Sequence, residues 1–461
     1  MYDVLQYYYK TTFGKDFGIK LMKNNKSIEY KALQTIILWM FLVSISLITY
    51  DKLPFLHYSS YSPSSIFTFF GAFALVLVIG YNYQYYDKWL IIFITISVIH
   101  SLASGIYYDD IGSSFQHIVT LAVGISIFIA VRYAFMFKKK NRLYENVLLL
   151  SLLWPLTLGY LQLLKQMGLG LSFVDRITAF FAQTVYIGRV QMASSEPSWA
   201  VMHLLTIGVI LLFNAKGRPF LKLILVAMSF LFLMIFSSFG YGVLFLSFIL
   251  FGLITKRYRF KMLVVLSIAW VIVFFVVPWL LDVFNVQGYY SQRFNYKYIF
   301  SQEFLASDAS GFIRIVFPII GLYQFIHFPF GYGGGFYYVH FNEYLLQHFA
   351  YGLQFDEVTL NFTQAGTATA RNFFSKILSE EGIFQFVFFI LFLKGIYRQC
   401  KTGYGKYVFC LALAFLSNFD TYAFVNFWIL MGIISSGYFN ERYSVAKKKV
   451  KRRIVMYRVA K

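Results

Sequence analysis

Long apolar runs separated by short polar breaks occupy most of this chain. Runs of about 17–25 residues match the length a helix needs to cross a bilayer. They fall near 33–50, 64–81, 89–106, 116–137, 146–165, 198–214, 220–236, 239–255, 261–282, 384–399, 407–419 and 421–438. The pattern predicts an all-α polytopic membrane protein of about twelve transmembrane helices, because a lipid-exposed backbone must satisfy its own hydrogen bonds. An outer-membrane barrel would show short alternating segments instead. The seventh and eighth runs are divided only by Ser237-Ser238-Phe239-Gly240, a tight turn or a break.

The pattern stops between Asp282 and Glu381. That stretch is rich in Tyr, Phe and Gly and carries Arg293, Lys297, Arg314, Arg371 and Lys376. Long loops are functional or disordered, and aromatic content argues against disorder. Residues 283–383 are therefore predicted as one long extracytoplasmic loop with short helices, in which 311–326 is apolar enough to dip back into the membrane. In the smaller outer loop 166–197, Phe173, Ile177, Phe180 and Phe181 recur at helical spacing, predicting a helix on the membrane surface. No soluble domain or internal repeat is visible.

Charge sets the orientation. With the N terminus inside, Lys138–Arg142, Lys216 and Arg218, Lys256–Lys261, Arg398, Lys401 and Lys406, and the Lys447–Arg453 tail all fall on the cytoplasmic side. The short outer segments 51–63, 107–115, 237–240 and Asn418–Asp420 are nearly free of Lys and Arg, as the positive-inside rule requires. Both termini are predicted cytoplasmic. The chain divides into a basic N-terminal segment 1–32, spans one to nine over 33–282, the loop 283–383, spans ten to twelve over 384–438, and a basic tail 439–461. The first span is expected to serve as an uncleaved anchor.

Composition agrees: 59% of residues are hydrophobic and 13% charged, with mean hydropathy +0.62, against about 25% charged in soluble chains. The net charge of +21 sits in loops and termini, where topology and anionic headgroups account for it, so nucleic-acid binding is excluded. Cys400 and Cys410, one in a predicted loop and one in a span, suit neither a disulfide nor a zinc site. No cofactor or metal is expected. Asp109-Asp110 has the residue type for a divalent ion but reads as a solvated turn.

A few outer polar residues are candidates for chemistry. Arg189, Arg314 and Arg371 can act as guanidinium forks for a diphosphate, because Arg binds phosphate bidentately and stays charged in apolar surroundings. The alternative for each is an ion pair or snorkelling, weakest for Arg314 inside an apolar stretch. In Ser194-Ser195-Glu196-Pro197-Ser198-Trp199-Ala200, Ser195 is expected to cap the next span, with Glu196 at its positive end. Glu196 serves either that helix start or as a proton acceptor. Glu380 is four residues after Lys376, a surface ion-pair spacing, and about 180° from Arg371 around a helix begun near Asn372. Gly331-Tyr332-Gly333-Gly334-Gly335 lacks the ending of a phosphate loop and reads as a flexible turn. His327, His340 and His348 lack zinc spacing, and at most one of them is a general base.

Three stretches in order carry a resemblance: Ser194–Ala200; Ser310-Gly311-Phe312-Ile313-Arg314 running on to Phe328-Pro329-Phe330-Gly331-Tyr332-Gly333; and Asn372 through Glu381-Gly382-Ile383. With this topology they resemble the bacterial O-antigen and capsule repeat-unit polymerases (Wzy type), relatives of the O-antigen ligases. The resemblance implies a polysaccharide-polymerising glycosyltransferase of the bacterial cytoplasmic membrane. Its donor would be an undecaprenyl-diphosphate-linked oligosaccharide, and its other partners membrane lipids, a chain-length regulator and a flippase. It also implies that Arg189 and Arg314 correspond to essential outer arginines, with Arg371 and Asn372 as further substrate contacts and Glu196 as the candidate base. Ligase relatives carry a His where this chain has Arg371, which favours polymerase over ligase. The competing class is a lipid-linked oligosaccharide flippase, which predicts ionisable groups near the membrane midplane and two related halves. A dolichol-phosphate-type transferase would need an acidic pair in 51–63, where only Asp51 stands.

Overall fold

Backbone polar groups in a continuous apolar run must be satisfied within that run, and this chain satisfies them as helix. The structure, a computed structural model, describes residues 26–50, 63–79, 83–136, 141–255 and 307–440, less 183, 187, 188, 236 and 365, and some positions between 260 and 279. Among the described residues the regular elements are all helical. They are α1 Lys26–Ser46, α2 Pro63–Ile79, α3 Asp87–Tyr107, α4 Ile111–Met136, α5 Asn141–Gln166, α6 Phe173–Phe181, α7 Pro197–Asn214, α8 Pro219–Met234 and α9 Ser238–Ile254. There follow α10 Ala309–His327, α11 Phe341–Phe349, α12 Asp356–Thr363, α13 Phe373–Lys376, α14 Gly382–Gln399, α15 Gly403–Phe415 and α16 Val425–Ser435. The expected ninth span lies largely outside the described residues, as do Arg293, Lys297 and both termini.

Among the described residues, Asp87–Tyr107, Ile111–Met136, Leu143–Gln166, Pro197–Asn214 and Ala309–His327 are long and apolar enough to cross a membrane. The pair α8 and α9, bent by 116° at the expected break, adds a sixth if it forms one span. Outward faces such as Ile91, Ile99 and Ile106 of α3 and Leu223 and Val226 of α8 are exposed and apolar. Such faces need lipid rather than water against them, so this is a helical membrane protein. The stretch expected only to dip into the membrane is the full helix α10. The last two runs form shorter helices than expected, 13 residues for α15 and 11 for α16.

The core centres on α16, buried all round from Val425 to Ile434 because it is apolar all round. Its Trp428 indole donates to the Tyr422 carbonyl at 2.6 Å and lies against α4 at Gly124, where a Cβ would fall 2.2 Å from the indole nitrogen. Inside the bundle, Arg132 of α4 reaches both Asp87 oxygens at 2.9 Å, so these two buried charges neutralise each other.

Residues 307–381 form a layer with its own core. Phe312, Val316, Phe317 and Ile320 of α10 pack against Phe341 and Leu345 of α11 and Val358 of α12. Asp308 caps α10 by accepting from the Ser310 and Gly311 N–H groups. This layer docks on α3 and α4 through Gly331–Gly335, which is a packed joint and not the flexible turn expected from sequence. Gly331, Gly333 and Gly335 have φ of 82°, 98° and 91°, where a side chain would be strained. A Cβ on Gly334 would lie 2.2 Å from His117 Nε2, and Ser101 Oγ donates to the Gly334 carbonyl at 2.8 Å. Nearby, Tyr338 donates to Asp110 Oδ2 at 2.6 Å and Ser113 donates to the same carboxylate through both N–H and hydroxyl. The Ser113 hydroxyl and then Tyr338 hold the Asp110 carboxyl below its ordinary range.

Gly334→Ala should lower stability by about 1–3 kcal/mol, the range for overpacking. Gly170→Ala, where a Cβ meets nothing within 4 Å, should leave it unchanged. Thermal unfolding in detergent compares them, and equal midpoints would remove the packed-joint assignment. Because the Asp110 pKa is depressed on folding, its stabilisation exists above the unfolded carboxyl range and disappears as pH falls through the folded value. The unfolding midpoint should therefore drop on acidification below about pH 4, and Asp110→Asn should show a smaller acid-induced drop than wild type.

Candidate functional site

One cavity of about 440 Å³ opens between the 307–381 layer and the bundle, and four of the five candidates from sequence line it: Arg189, Glu196, Arg314 and Arg371. They arrive from separate stretches. Arg189 and Glu196 precede α7, Arg314 lies in the second turn of α10, and Arg371 lies two residues before α13.

The Arg189–Glu196 stretch is held by two buried amides. Gln191 Nε2 donates to the Thr184 and Ser194 carbonyls at 2.6 and 2.8 Å, while its Oε1 accepts from the Tyr186 N–H at 2.6 Å. Gln162 Oε1 accepts from the Gln191 and Met192 N–H groups at 3.0 and 2.9 Å. The Arg189 guanidinium lies 5.9 Å from the Tyr186 ring centroid. Glu196 is itself the extended N-cap residue of α7, with Pro197 next, so the cap is one residue later than Ser195, the residue expected to fill it. Its exposed carboxylate accepts from the Ser198 hydroxyl at 2.8 Å.

Arg314 is half-buried, with its guanidinium 5.4 Å from the centroid of Phe239. The first turn of α9, just after the break from α8, thus supplies an aromatic wall that favours a cation. Arg371 adopts φ of 53°, sparsely populated for a side-chain-bearing residue. Two acids retain it there: its N–H donates to Asp420 Oδ2 at 2.7 Å, and Nη2 donates to Glu357 Oε1 at 3.2 Å. Both acids line the cavity, and sequence reasoning missed them. The only sequence signal for Asp420 was its place in a short outer loop.

Asn372, expected as a substrate contact, does not line the cavity. Its Oδ1 caps α13 by accepting from the Phe374 and Ser375 N–H groups, and its Nδ2 donates to the Ser417 carbonyl at 2.8 Å. It therefore positions Arg371 against the 417–421 turn. The three loop histidines also lie elsewhere: His340 pairs with Glu343, His348 stacks on Tyr323 and His327 bonds the Tyr323 carbonyl.

A second constellation lies beneath the glycine joint. The π turn Ile377–Glu381 turns two consecutive carboxylates inward. Glu381 Oε1 approaches His117 Nε2 at 2.7 Å, too obliquely for an aligned hydrogen bond, and Glu380 lies 3.9 Å from His117 Nδ1. Glu380 Oε2 accepts from the Gly335 N–H at 2.8 Å, and its carbonyl accepts from the Gly333 N–H at 2.7 Å. Lys376 stands 3.4 Å from Glu380 Oε1. The expected four-residue ion pair exists, but it is buried rather than on the surface.

No family model matches this chain, and neither does any curated protein or solved structure.

Lys376→Met leaves Glu380 buried without its cation and should cost about 3–5 kcal/mol, whereas Lys376→Met with Glu380→Gln should cost less. Denaturant unfolding of both variants measures this. Equal losses would mean that the pair is not coupled.

Proposed function

We propose that this protein polymerises undecaprenyl-diphosphate-linked oligosaccharide repeat units into O-antigen or capsule at the outer face of a bacterial cytoplasmic membrane. The supporting observation is the convergence of Arg189, Arg314 and Arg371 with Glu196 on one cavity, from positions far apart in sequence. In the proposed step, the bond between the glycan's anomeric carbon and the diphosphate oxygen breaks. An acceptor-sugar hydroxyl forms the new bond to that carbon, and undecaprenyl diphosphate leaves. The arginines stabilise the charge on the departing diphosphate, a role that fixed cations can fill without reorganisation. Glu196 takes the hydroxyl proton, because the cavity's other carboxylates, Glu357 and Asp420, are engaged by Arg371. An incoming diphosphate would displace Glu357 from Arg371.

The twelve-span arrangement with both ends cytoplasmic belongs to the same proposal, and contacts between loops support it. Glu145 accepts from Arg218, Asn214 and Tyr438, and the Lys401 N–H donates to Asn440, all at or near ends assigned inside. The cavity residues come from segments assigned outside or from the adjoining outer ends of assigned spans. Both ends of α10 also meet outer groups, the cavity at Ser310 and the glycine joint just past His327, which favours α10 lying along the outer side.

The flippase alternative draws on the buried Lys376, Glu380, Glu381 and His117, since ionisable groups inside a membrane bundle mark transport pathways. Surface-glycan gels from cells lacking the protein separate the two. Deletion should leave a single-unit band, wild type should restore the ladder, and Arg314→Ala should cut polymerisation by about 10²–10³-fold, the effect of losing one charge-stabilising donor. A normal ladder in the deletion strain removes the polymerase proposal. Intermediates stranded on the inner leaflet indicate the flippase.

A further inference from the structure

We propose that the groove between the start of α3 and the end of α14 binds the phosphate head group of an anionic phospholipid. This is independent of the polymerase proposal and concerns the opposite end of the bundle from the cavity. The groove encloses about 270 Å³ and is lined by Lys88, Lys394 and Arg398 together with Tyr85 and Trp89. Lys394 and Arg398 are four apart and share one face of α14, and Lys88 faces them from the first turn of α3.

All three cations are exposed, and no salt bridge engages any of them among the described residues. The neighbouring acid cannot balance them. Asp87 is buried, held by Arg132, and accepts from the Gln84 N–H at 2.7 Å. Lys88 is also at a helix N-terminus, the positive end of the macrodipole, where a cation is disfavoured unless an anion joins it. The groove thus gathers like charge with no acid among the described residues paired to it.

Its floor is a fixed joint rather than loose surface. Trp89 stacks on Phe388 of α14, with centroids 6.0 Å apart and planes at 15°. Gly395 lets Tyr86 come close, since a Cβ there would fall 2.2 Å from the Tyr86 Cβ. Lys88 Nζ lies 4.7 Å from the Trp89 ring centroid. Exposed Tyr85 in the groove lining is of the aromatic type found at headgroup depth. A basic pocket between membrane helices, floored by aromatics at that depth, suits an anionic lipid head group. The competing account is that these cations only orient the chain and snorkel, which gives no preference among lipids.

The full-length protein in nanodiscs tests the assignment, with brominated phosphatidylglycerol or brominated phosphatidylcholine as quencher. The signal is the Trp89 component, obtained as wild type minus Trp89→Phe. Phosphatidylglycerol should quench it at a lower mole fraction than phosphatidylcholine. Neutralising Lys88, Lys394 and Arg398 to Gln should erase the preference, roughly fivefold per cation, the factor equivalent to ~1 kcal/mol for each basic residue near an anionic surface. Arg398→Gln alone provides the measurement if the triple variant fails to fold, and it should weaken the preference about fivefold. Equal quenching by the two lipids, or a preference unchanged in Arg398→Gln, overturns the proposal. Complete displacement of phosphatidylglycerol by millimolar inorganic phosphate would assign the groove to free phosphate and overturn the lipid assignment.

Discussion

The 307–381 layer depends on one buried contact, the inward pair Glu380 and Glu381 against His117. Two carboxylates cannot stay buried without compensation, so the surroundings are built to supply it. Lys376 faces one, His117 the other, and the Gly335 N–H donates to Glu380. Supplying that donor requires the 331–335 backbone to run directly over α4, which only glycine permits at these φ values and at this distance from His117. The charge cluster and the glycine run are therefore one device, and the device sets where α10 and Arg371 sit relative to the bundle.

The cavity follows from that placement. Arg314 comes from the 307–381 layer, Arg189 and Glu196 from the chain entering α7, Phe239 from the first turn of α9, and Asp420 from the turn before α16. Each is fixed by a local arrangement: the cap of α10, the Gln191 and Gln162 amides, the extended Glu196 before Pro197, and the Asn372 cap. Three guanidinium groups facing three carboxylates make a site of directed forks rather than of large net charge. Under the proposed function, those forks are what would receive the diphosphate.

Sequence reasoning succeeded where the physics is local. Continuous apolar runs gave the helices. Pro197 and the Ser237–Gly240 break marked helix starts that the structure retains, and the scarcity of arginines in the segments expected outside singled out residues that do share a cavity. It failed where the answer depended on partners far along the chain. The resemblance places Asn372 among the substrate contacts, whereas its side chain caps α13 and is not in the cavity lining. The Lys376–Glu380 pair was placed on the surface because a spacing of four specifies a helix face and not what covers it.

The sequence by itself determined that this is a helical membrane protein with one unusual stretch between its apolar runs, and which cations in that stretch were scarce enough to matter. Those properties come from composition and from periodicity over a few turns. Only the tertiary structure decided that Arg189, Arg314 and Arg371 meet, that Asp420 and Glu357 hold the last of them, and that His117 sits beneath a glycine joint. These facts rest on contacts between residues tens to hundreds of positions apart, whose geometry exists only after the helices pack.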